Sequence, residues 1–172
     1  EPLELGSEPS LETDSLELEG DARKPDRETE PLLVQIFVIA QHGPFRGPDI
    51  LEQARALGLE AGEMDIFHRY TPAGALQDPL YSMANLVRPG SFPFDDLQQF
   101  ETPGLALFTE LPGEPSDLMV FDELLGAARQ LADHLGGELR GADREPLGEA
   151  AQLHLRSQVS AALEKAETRR FS

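Results

Sequence analysis

The stretch "GEMDIFHRY" collects four side chains that could do acid/base chemistry or bind a metal ion: Glu63, Asp65, His68 and Arg69. A catalytic site needs converging groups with distinct roles, and a metal site needs several ligands held together. The alternation of polar and apolar residues predicts a strand here, which would turn Asp65 and His68 to opposite faces. We therefore expect neither a catalytic dyad nor a metal site in this stretch.

The rest of the chain adds little chemistry. The four histidines show no HxH, HExxH or HxxxH spacing, there is no cysteine, and we interpret the histidines as surface or capping residues. "GPFRGPD" lacks the glycine pattern of a phosphate loop, and no GxSxG occurs. We expect no catalytic residue, no metal ligand and no cofactor. The alternative is a small cytosolic enzyme or ligand-binding α+β domain that uses the loops at 71–79 and 88–104.

Composition and charge limit the partners. The chain has 172 residues, of which 40% are hydrophobic, as expected for one globular domain with a tail. Its formal net charge of −18 argues against nucleic acid and against anionic membrane surfaces. No apolar run reaches the length of about 18 residues that a membrane span requires.

The N-terminal segment differs from the remainder. Residues 1–30 contain 11 acidic and three basic residues, and their leucines are isolated among Glu, Ser, Gly and Pro. So few apolar residues cannot offset the entropy lost on ordering the segment, which predicts a disordered acidic linker over 1–32. The alternative is a short partner-binding segment around "SLELE". A folded domain would then occupy 33–168, and 169–172 would be a tail.

Periodicity predicts the elements of that domain. Strands are expected at 32–40, 63–70, 80–87, 105–111 and in the short "ELRGA". Helices are expected after Gly47-Pro48, over "DLMVFDELLGAARQLADHL" with Ser116 as N-cap and Gly136-Gly137 as its end, and over "PLGEAAQLHLRSQVSAALEKAE" as a second amphipathic helix. This order predicts an α+β fold with two layers, in which a mostly antiparallel sheet of five or six strands carries three helices on one face.

Three helices cover only one face of such a sheet, so the other face should be polar where it meets water. Instead, both faces are largely apolar. We assign eight residues to the helix-covered face: Val34, Ile36, Val38, Phe67, Met83, Val87, Leu105 and Leu107. The opposite face then holds Leu33, Phe37, Met64, Ile66, Ala84, Leu86, Ala106 and Phe108. This pattern predicts an interaction surface, rimmed by Gln35, His68, Arg88 and Glu110, and the alternative is that loops cover the individual strands.

Four segments, "GEMDIFHRY", "YSMANLVRPGSF", "FETPGLALF" and "ADHLGGEL", resemble in their order and spacing the C-terminal domain of the ZipA family. These bacterial cell-division proteins bind the tubulin-like GTPase FtsZ, and the resemblance covers about 33–168. It implies a split β-α-β fold with a six-stranded antiparallel sheet, and a non-enzymatic adaptor whose bare sheet face binds the FtsZ C-terminal peptide. It also implies an N-terminal membrane anchor ahead of this segment and a place on the cytoplasmic face of the inner membrane at the division septum. We expect the isolated domain to be a monomer.

By position, the resemblance assigns eleven residues to the peptide groove: Leu33, Gln35, Phe37, Met64, Ile66, Ala84, Asn85, Leu86, Arg88, Ala106 and Phe108. The assignment agrees with the strand faces except at Asn85, whose side chain the alternation turns inward. Gln35 stands where the family can have an aliphatic residue. Arg88 replaces a lysine, which keeps the charge with a different geometry.

Overall fold

The computed structural model describes residues 30–70 and 79–170. Its regular elements are, in chain order, β1 (Leu32–Ala40), β2 (Phe45–Arg46), α1 (Gly47–Ala56), β3 (Glu60–Ala61), β4 (Phe67–Arg69), β5 (Tyr81–Asn85), β6 (Glu101–Thr102), β7 (Gly104–Leu111), α2 (Asp117–Leu135), β8 (Gly137–Arg140) and α3 (Glu149–Arg170). Two short 3₁₀ segments lie at Glu63–Asp65 and Phe94–Gln99.

Six strands form one sheet in the order β3-β4-β5-β7-β1-β8, and every neighbouring pair is antiparallel. The predicted α+β fold with a mostly antiparallel six-stranded sheet is confirmed. β1 lies between β7 and β8 and pairs with β7 from Leu32 opposite Leu111 to Ile39 opposite Gly104. Its bounds match the prediction because a run of β-branched and aromatic residues strongly favours a strand.

The main core lies between one face of this sheet and the helices. Val34, Ile36 and Val38 of β1 are buried there together with Phe121 and Leu124 of α2. The apolar residues of α2 recur at three- and four-residue spacing, so this helix buries one stripe against the sheet. α1 adds its own buried residues to the same core. None of the described helices has an apolar stretch long enough to cross a membrane.

The start of α2 is fixed by a different group than the sequence suggests, whereas its end is the predicted one. Ser116 occupies the N-cap position but makes no capping side-chain bond, so its predicted capping role is wrong. Instead, the buried Asp117 carboxylate accepts a hydrogen bond of 2.8 Å from the backbone N–H of Gly113. Gly136 ends the helix as predicted, with the positive φ of 81° that glycine adopts without strain.

α3 is less amphipathic than its sequence suggested. Only Val159 and Ala166 are buried among its described residues, so the helix lies on the surface of the domain. It packs on α2, where the guanidinium of Arg156 makes two hydrogen bonds of 2.8 Å with the carboxylate of Asp122.

The predicted strand over 63–70 is wrong in its first half. Met64 and Asp65 have positive φ values of 63° and 57°, and β4 begins only at Phe67. The reason is a hairpin that the sequence did not reveal: β3 pairs with β4, and the loop between them must turn within a few residues. The loop is closed by hydrogen bonds from Gly62 N–H to the Ile66 carbonyl and from Asp65 N–H to the Gly62 carbonyl, both 3.0 Å.

The predicted strand over 80–87 is also too long. β5 ends at Asn85, where the chain turns through hydrogen bonds that join Asn85 N–H to the Gly90 carbonyl and Gly90 N–H to the Val87 carbonyl. Val87, which we assigned to the helix-covered face, is 45% exposed because it lies in this turn. The small sheet of β2 and β6 was not predicted either, since two-residue strands show no periodicity.

Candidate functional site

The sheet face opposite the helices is called the open face. The register joins its residues into rows across the strands: Phe37, Ala106 and Ala84 form one row. The next row contains Gln35, Phe108, Ser82 and His68. The structure thus brings together the residues of β1, β5 and β7 that the strand faces predicted.

Two small residues lie in the middle of the open face: Ala84 and Ala106 pair directly across β5 and β7 and are half-buried. We call this part of the face the trough. Phe37 follows Ala106 in the same row, on the side of β1. Phe37 and Ile66 are buried, at 8% and 5% exposure, although neither is part of the main core between sheet and helices.

Phe37 is covered by a residue that sequence reasoning missed. The Arg144 guanidinium carbon lies 5.1 Å from the centre of the Phe37 ring, a cation–π contact. Arg144 has a positive φ of 70°, and its carbonyl accepts a 2.9 Å hydrogen bond from the side chain of Arg140, which pairs with Phe37 across β1 and β8. No periodicity marks a loop arginine, so only the proximity of β8 to β1 could have indicated this contact.

The predicted site residues are unequally exposed. Leu33 and Met64 are 52% and 74% exposed, and Arg88 is also exposed. Gln35, Leu86 and Phe108 are half-buried. Met64 lies in the hairpin loop before β4, and not in a strand as predicted.

Leu86 packs over the glycine that begins β7. A Cβ atom added at Gly104 would lie 2.6 Å from Cδ2 of Leu86. A side chain at this position would push Leu86 away, so the glycine of the "TPG" segment permits the close approach of the two strands. The spacing between "MANLVRPG" and "TPG" noted in the sequence therefore has a steric reason.

Asn85 does not belong to the open face. Its side chain is buried, and its oxygen accepts a hydrogen bond of 2.6 Å from the Thr102 hydroxyl and one of 3.2 Å from Val87 N–H. Its amide nitrogen donates to the Ser91 carbonyl at 3.3 Å. The inward direction predicted by strand alternation is correct, and the groove position carried over from the resemblance stays a prediction that this burial does not favour. Asn85 instead fixes the turn that carries Leu86.

His68 is neither a surface residue nor a helix cap, contrary to our interpretation. It is 5% exposed, and its ring nitrogens lie 2.8 Å from the Ser82 hydroxyl and 2.9 Å from the Glu63 carbonyl. Asp65 lies in the hairpin loop, so the two residues do not form a dyad on one strand. Within residues 30–70 and 79–170, no three His, Cys, Asp or Glu side chains form a potential metal site.

The loops of the enzyme alternative give it no support. Most of the first loop, residues 71–78, lies outside the described residues. In the second loop, the Phe92 ring contacts Phe67 and Phe100 edge to face, with centroids 5.1 and 5.7 Å apart. These rings hold the loop against the core. The loop also lines a cavity together with Asp65 and Asn85, but no potential metal site lies there among the described residues.

The fold and the site define a class of protein. It is a two-layer α+β domain with helices on one face of the sheet and apolar residues on the open face. The family model described as "ZipA, C-terminal FtsZ-binding domain" matches residues 32–158. The chain therefore belongs to the ZipA C-terminal domain family, and the resemblance seen in the sequence is confirmed.

Curated relatives agree with this assignment. Each is named Cell division protein ZipA: the protein of Stutzerimonas stutzeri (strain A1501) is 38% identical over 140 residues, which cover 79% of this chain and 51% of the relative. Those of Pseudomonas fluorescens (strain Pf0-1) and Pseudomonas putida (strain W619) are 37% and 38% identical, over 80% and 81% of this chain and 48% of each relative. The chain spans about half the length of these relatives. The family is described by FtsZ binding and the relatives are named for cell division, in agreement with the prediction that the chain is not an enzyme.

Proposed function

We propose that this domain binds the C-terminal tail of FtsZ in the trough of its open face. In this proposal it acts as a non-enzymatic adaptor that tethers and stabilises the division ring at the inner membrane. The observation that carries the proposal is an apolar strip on the one sheet face without helices, in a domain whose family is described as FtsZ-binding. Leu33, Leu86 and Phe108 lie on that strip with part of their surface accessible.

Burial of apolar surface supplies most of the binding free energy in this proposal. A fully buried Leu, Ile or Phe side chain of the tail contributes roughly 1.5–3 kcal/mol. Ordering of the flexible tail opposes this gain, so we expect a Kd in the micromolar range, about −8 kcal/mol or weaker. Weak single contacts suit a filament, because many tails presented together raise the overall avidity.

Charge orients the tail. Arg88 is exposed in the turn after β5, and the Arg144 guanidinium lies over Phe37 on the other side of the trough. Two cations that flank an apolar floor favour a tail with acidic residues beside its apolar ones.

The test is a titration of the domain with a peptide of the FtsZ C-terminus, followed by calorimetry or fluorescence anisotropy. The double variant Phe108→Ala, Met64→Glu should weaken binding by more than about ten-fold, since it removes an apolar surface and adds an acid beside the trough. Met119→Glu is the matched control, because Met119 is 51% exposed on α2 in the helix layer. Wild-type affinity in the double variant would refute the assignment of the trough.

The domain limits are part of the proposal. The predicted limits of the domain, 33 and 168, fall inside β1, which begins at Leu32, and inside α3, which ends at Arg170. We infer that the residues before β1 are a linker and that the segment from β1 to the end of α3 folds alone as a monomer. Limited proteolysis should cleave within the linker first and leave a resistant fragment beginning near β1, and light scattering of that fragment should give the mass of one chain. Protection of the linker equal to that of β1 would contradict these limits.

A further inference from the structure

His68 is a buried polar residue on the open face with no part in the proposed contacts to the FtsZ tail. Its side chain lies in the row of Ser82 and Phe108, on the sheet face opposite the helices. Tyr70 packs against its ring with centroids 5.7 Å apart, and a Cβ atom added at Gly62 would lie 3.0 Å from its Cδ2. A buried histidine requires partners for both ring nitrogens, and the identity of those partners indicates what the residue does.

The partners determine the position of one proton. Nε2 lies 2.9 Å from the Glu63 carbonyl, which can only accept, so Nε2 carries a hydrogen and donates it. Nδ1 lies 2.8 Å from the hydroxyl of Ser82, which can donate to a neutral ring. The neutral ring thus has the Nε2–H tautomer, and its donor is directed at the main chain of the hairpin loop.

That loop has a backbone that needs support. Met64 and Asp65, neither of which is glycine, both have left-handed φ values. Such residues are strained and persist where surrounding contacts hold them. Within the loop, main-chain hydrogen bonds join Gly62 to Ile66 and to Asp65. The Glu63 carbonyl, directly before Met64, accepts its hydrogen bond from the His68 side chain.

We propose that His68 is a positioning residue of the trough: its Nε2–H fixes the Glu63 carbonyl and thereby the left-handed turn that places Met64 beside Ile66. The inference rests on the proposed function for its effect on binding, but the positioning itself is a property of the free domain. The Asp65 carbonyl accepts a 2.8 Å hydrogen bond from Phe92 N–H, so the same turn is joined to the loop that follows β5.

Two substitutions of His68 distinguish the roles of its two ring nitrogens. In His68→Gln the side-chain amide can replace the Nε2–H donor, and in His68→Asn it reaches only the position of Nδ1. We expect His68→Gln to keep the turn and His68→Asn to lose it. Ser82→Ala removes the partner of Nδ1 alone and should also keep the turn.

The chain is suited to a direct measurement because it has three methionines. In the free domain, the backbone ¹³Cα and ¹³Cβ resonances of Met64, which depend on its φ, should leave their left-handed positions in His68→Asn and stay near their wild-type positions in His68→Gln. Met83, which is fully buried, and Met119 on α2 serve as internal references, and their unchanged resonances show that the fold is kept. An unmoved Met64 resonance in folded His68→Asn would overturn the proposal.

Peptide titration of the same variants separates this inference from the proposed function. We expect His68→Asn to bind the FtsZ peptide about five-fold more weakly, the loss associated with one neutral hydrogen bond, and His68→Gln to bind like the wild type. A displaced Met64 resonance with unchanged affinity would support the positioning role and refute Met64 as a contact of the peptide. If His68→Asn does not fold, the ¹⁵N resonances of the wild-type ring decide, since an Nδ1–H tautomer would overturn the proposal.

Discussion

At the scale of single residues, side-chain size along paired strands shapes the open face. Ala84 and Ala106 lie opposite each other in neighbouring strands, and Phe37 continues their row. Their two methyl groups leave space on this part of the face that larger side chains would fill. In the proposed function, a side chain of the FtsZ tail uses this space.

Filling the trough should abolish binding without unfolding the domain. Ala106→Leu places a large side chain on the floor, and because Ala106 is only half-buried we expect the free energy of unfolding to change by less than about 1 kcal/mol. Peptide affinity should fall by more than about ten-fold because the leucine occupies the space of a ligand side chain. Ala150→Leu on the exposed side of α3 is the control, and equal effects of the two substitutions on affinity would contradict the location of the trough.

Arg144 should stabilise the domain through its contact with Phe37. Cation–π pairs at exposed sites contribute about 0.5–1 kcal/mol, so Arg144→Gln should lower the free energy of unfolding by that amount. Urea denaturation measures the change, and Phe37→Leu in both backgrounds completes a double-mutant cycle. A coupling energy of zero would show that the two groups are neighbours without mutual attraction.

Tyr81 should make the free energy of unfolding of the domain fall with rising pH in the alkaline range. Burial raises the pKa of its hydroxyl from 10.0 to about 12, against the smaller lowering effect of Arg69. Because the pKa is higher in the folded state, the unfolded state loses its proton first as the pH rises. The stability that Tyr81 contributes is therefore fully present below pH 10 and is lost between about pH 10 and about pH 12. The loss in the free energy of unfolding is roughly 3 kcal/mol at most. The free energy of unfolding of Tyr81→Phe should therefore fall less over this range, and parallel curves for the two proteins would contradict the raised pKa.

At the scale of elements, the start of α2 depends on Asp117. Its buried carboxylate holds Gly113 N–H, while Ser116 in the N-cap position makes no side-chain bond to the helix. Asp117→Ala should lower the free energy of unfolding by about 1–2 kcal/mol, and Ser116→Ala should change it by less than about 0.5 kcal/mol. Thermal or urea unfolding of the pair decides, and the reverse ranking would return the capping role to Ser116.

The success of the sequence predictions followed the length and regularity of the elements. β1 was placed well because its nine residues are a run of β-branched and aromatic types, and α2 because its nineteen residues carry a clear helical period. β3 has two residues, so nothing in the sequence indicated the hairpin that turns residues 62–66 and removes Met64 from a strand.

The open face itself followed from residues in the sequence, because alternation in β1, β5 and β7 and a count of helices sufficed. The contacts of Arg144 with Phe37 and of His68 with Glu63 could not have been predicted from the sequence. Each depends on a loop conformation with positive φ at a residue other than glycine, which sequence patterns do not specify.

At the scale of the whole molecule, stability should be greatest at the centre of the sheet. β1 pairs with β7 over eight residues and has β8 on its other side, whereas β3 contributes two pairs at one edge. Under native conditions, amide hydrogens of β1 and β7 should exchange only through global unfolding, and those of β3 and the hairpin loop through local opening. Hydrogen exchange followed by NMR tests this order, and equal protection of β3 and β1 would contradict it.

The bond from Phe92 N–H to the Asp65 carbonyl, 2.8 Å long, joins the hairpin loop to the loop after β5. It uses main-chain atoms only, so this link itself requires no particular side chain at Asp65. Asp65 is exposed and can therefore be replaced without removing the bond, so the charge at this edge of the sheet can change while the two loops stay joined.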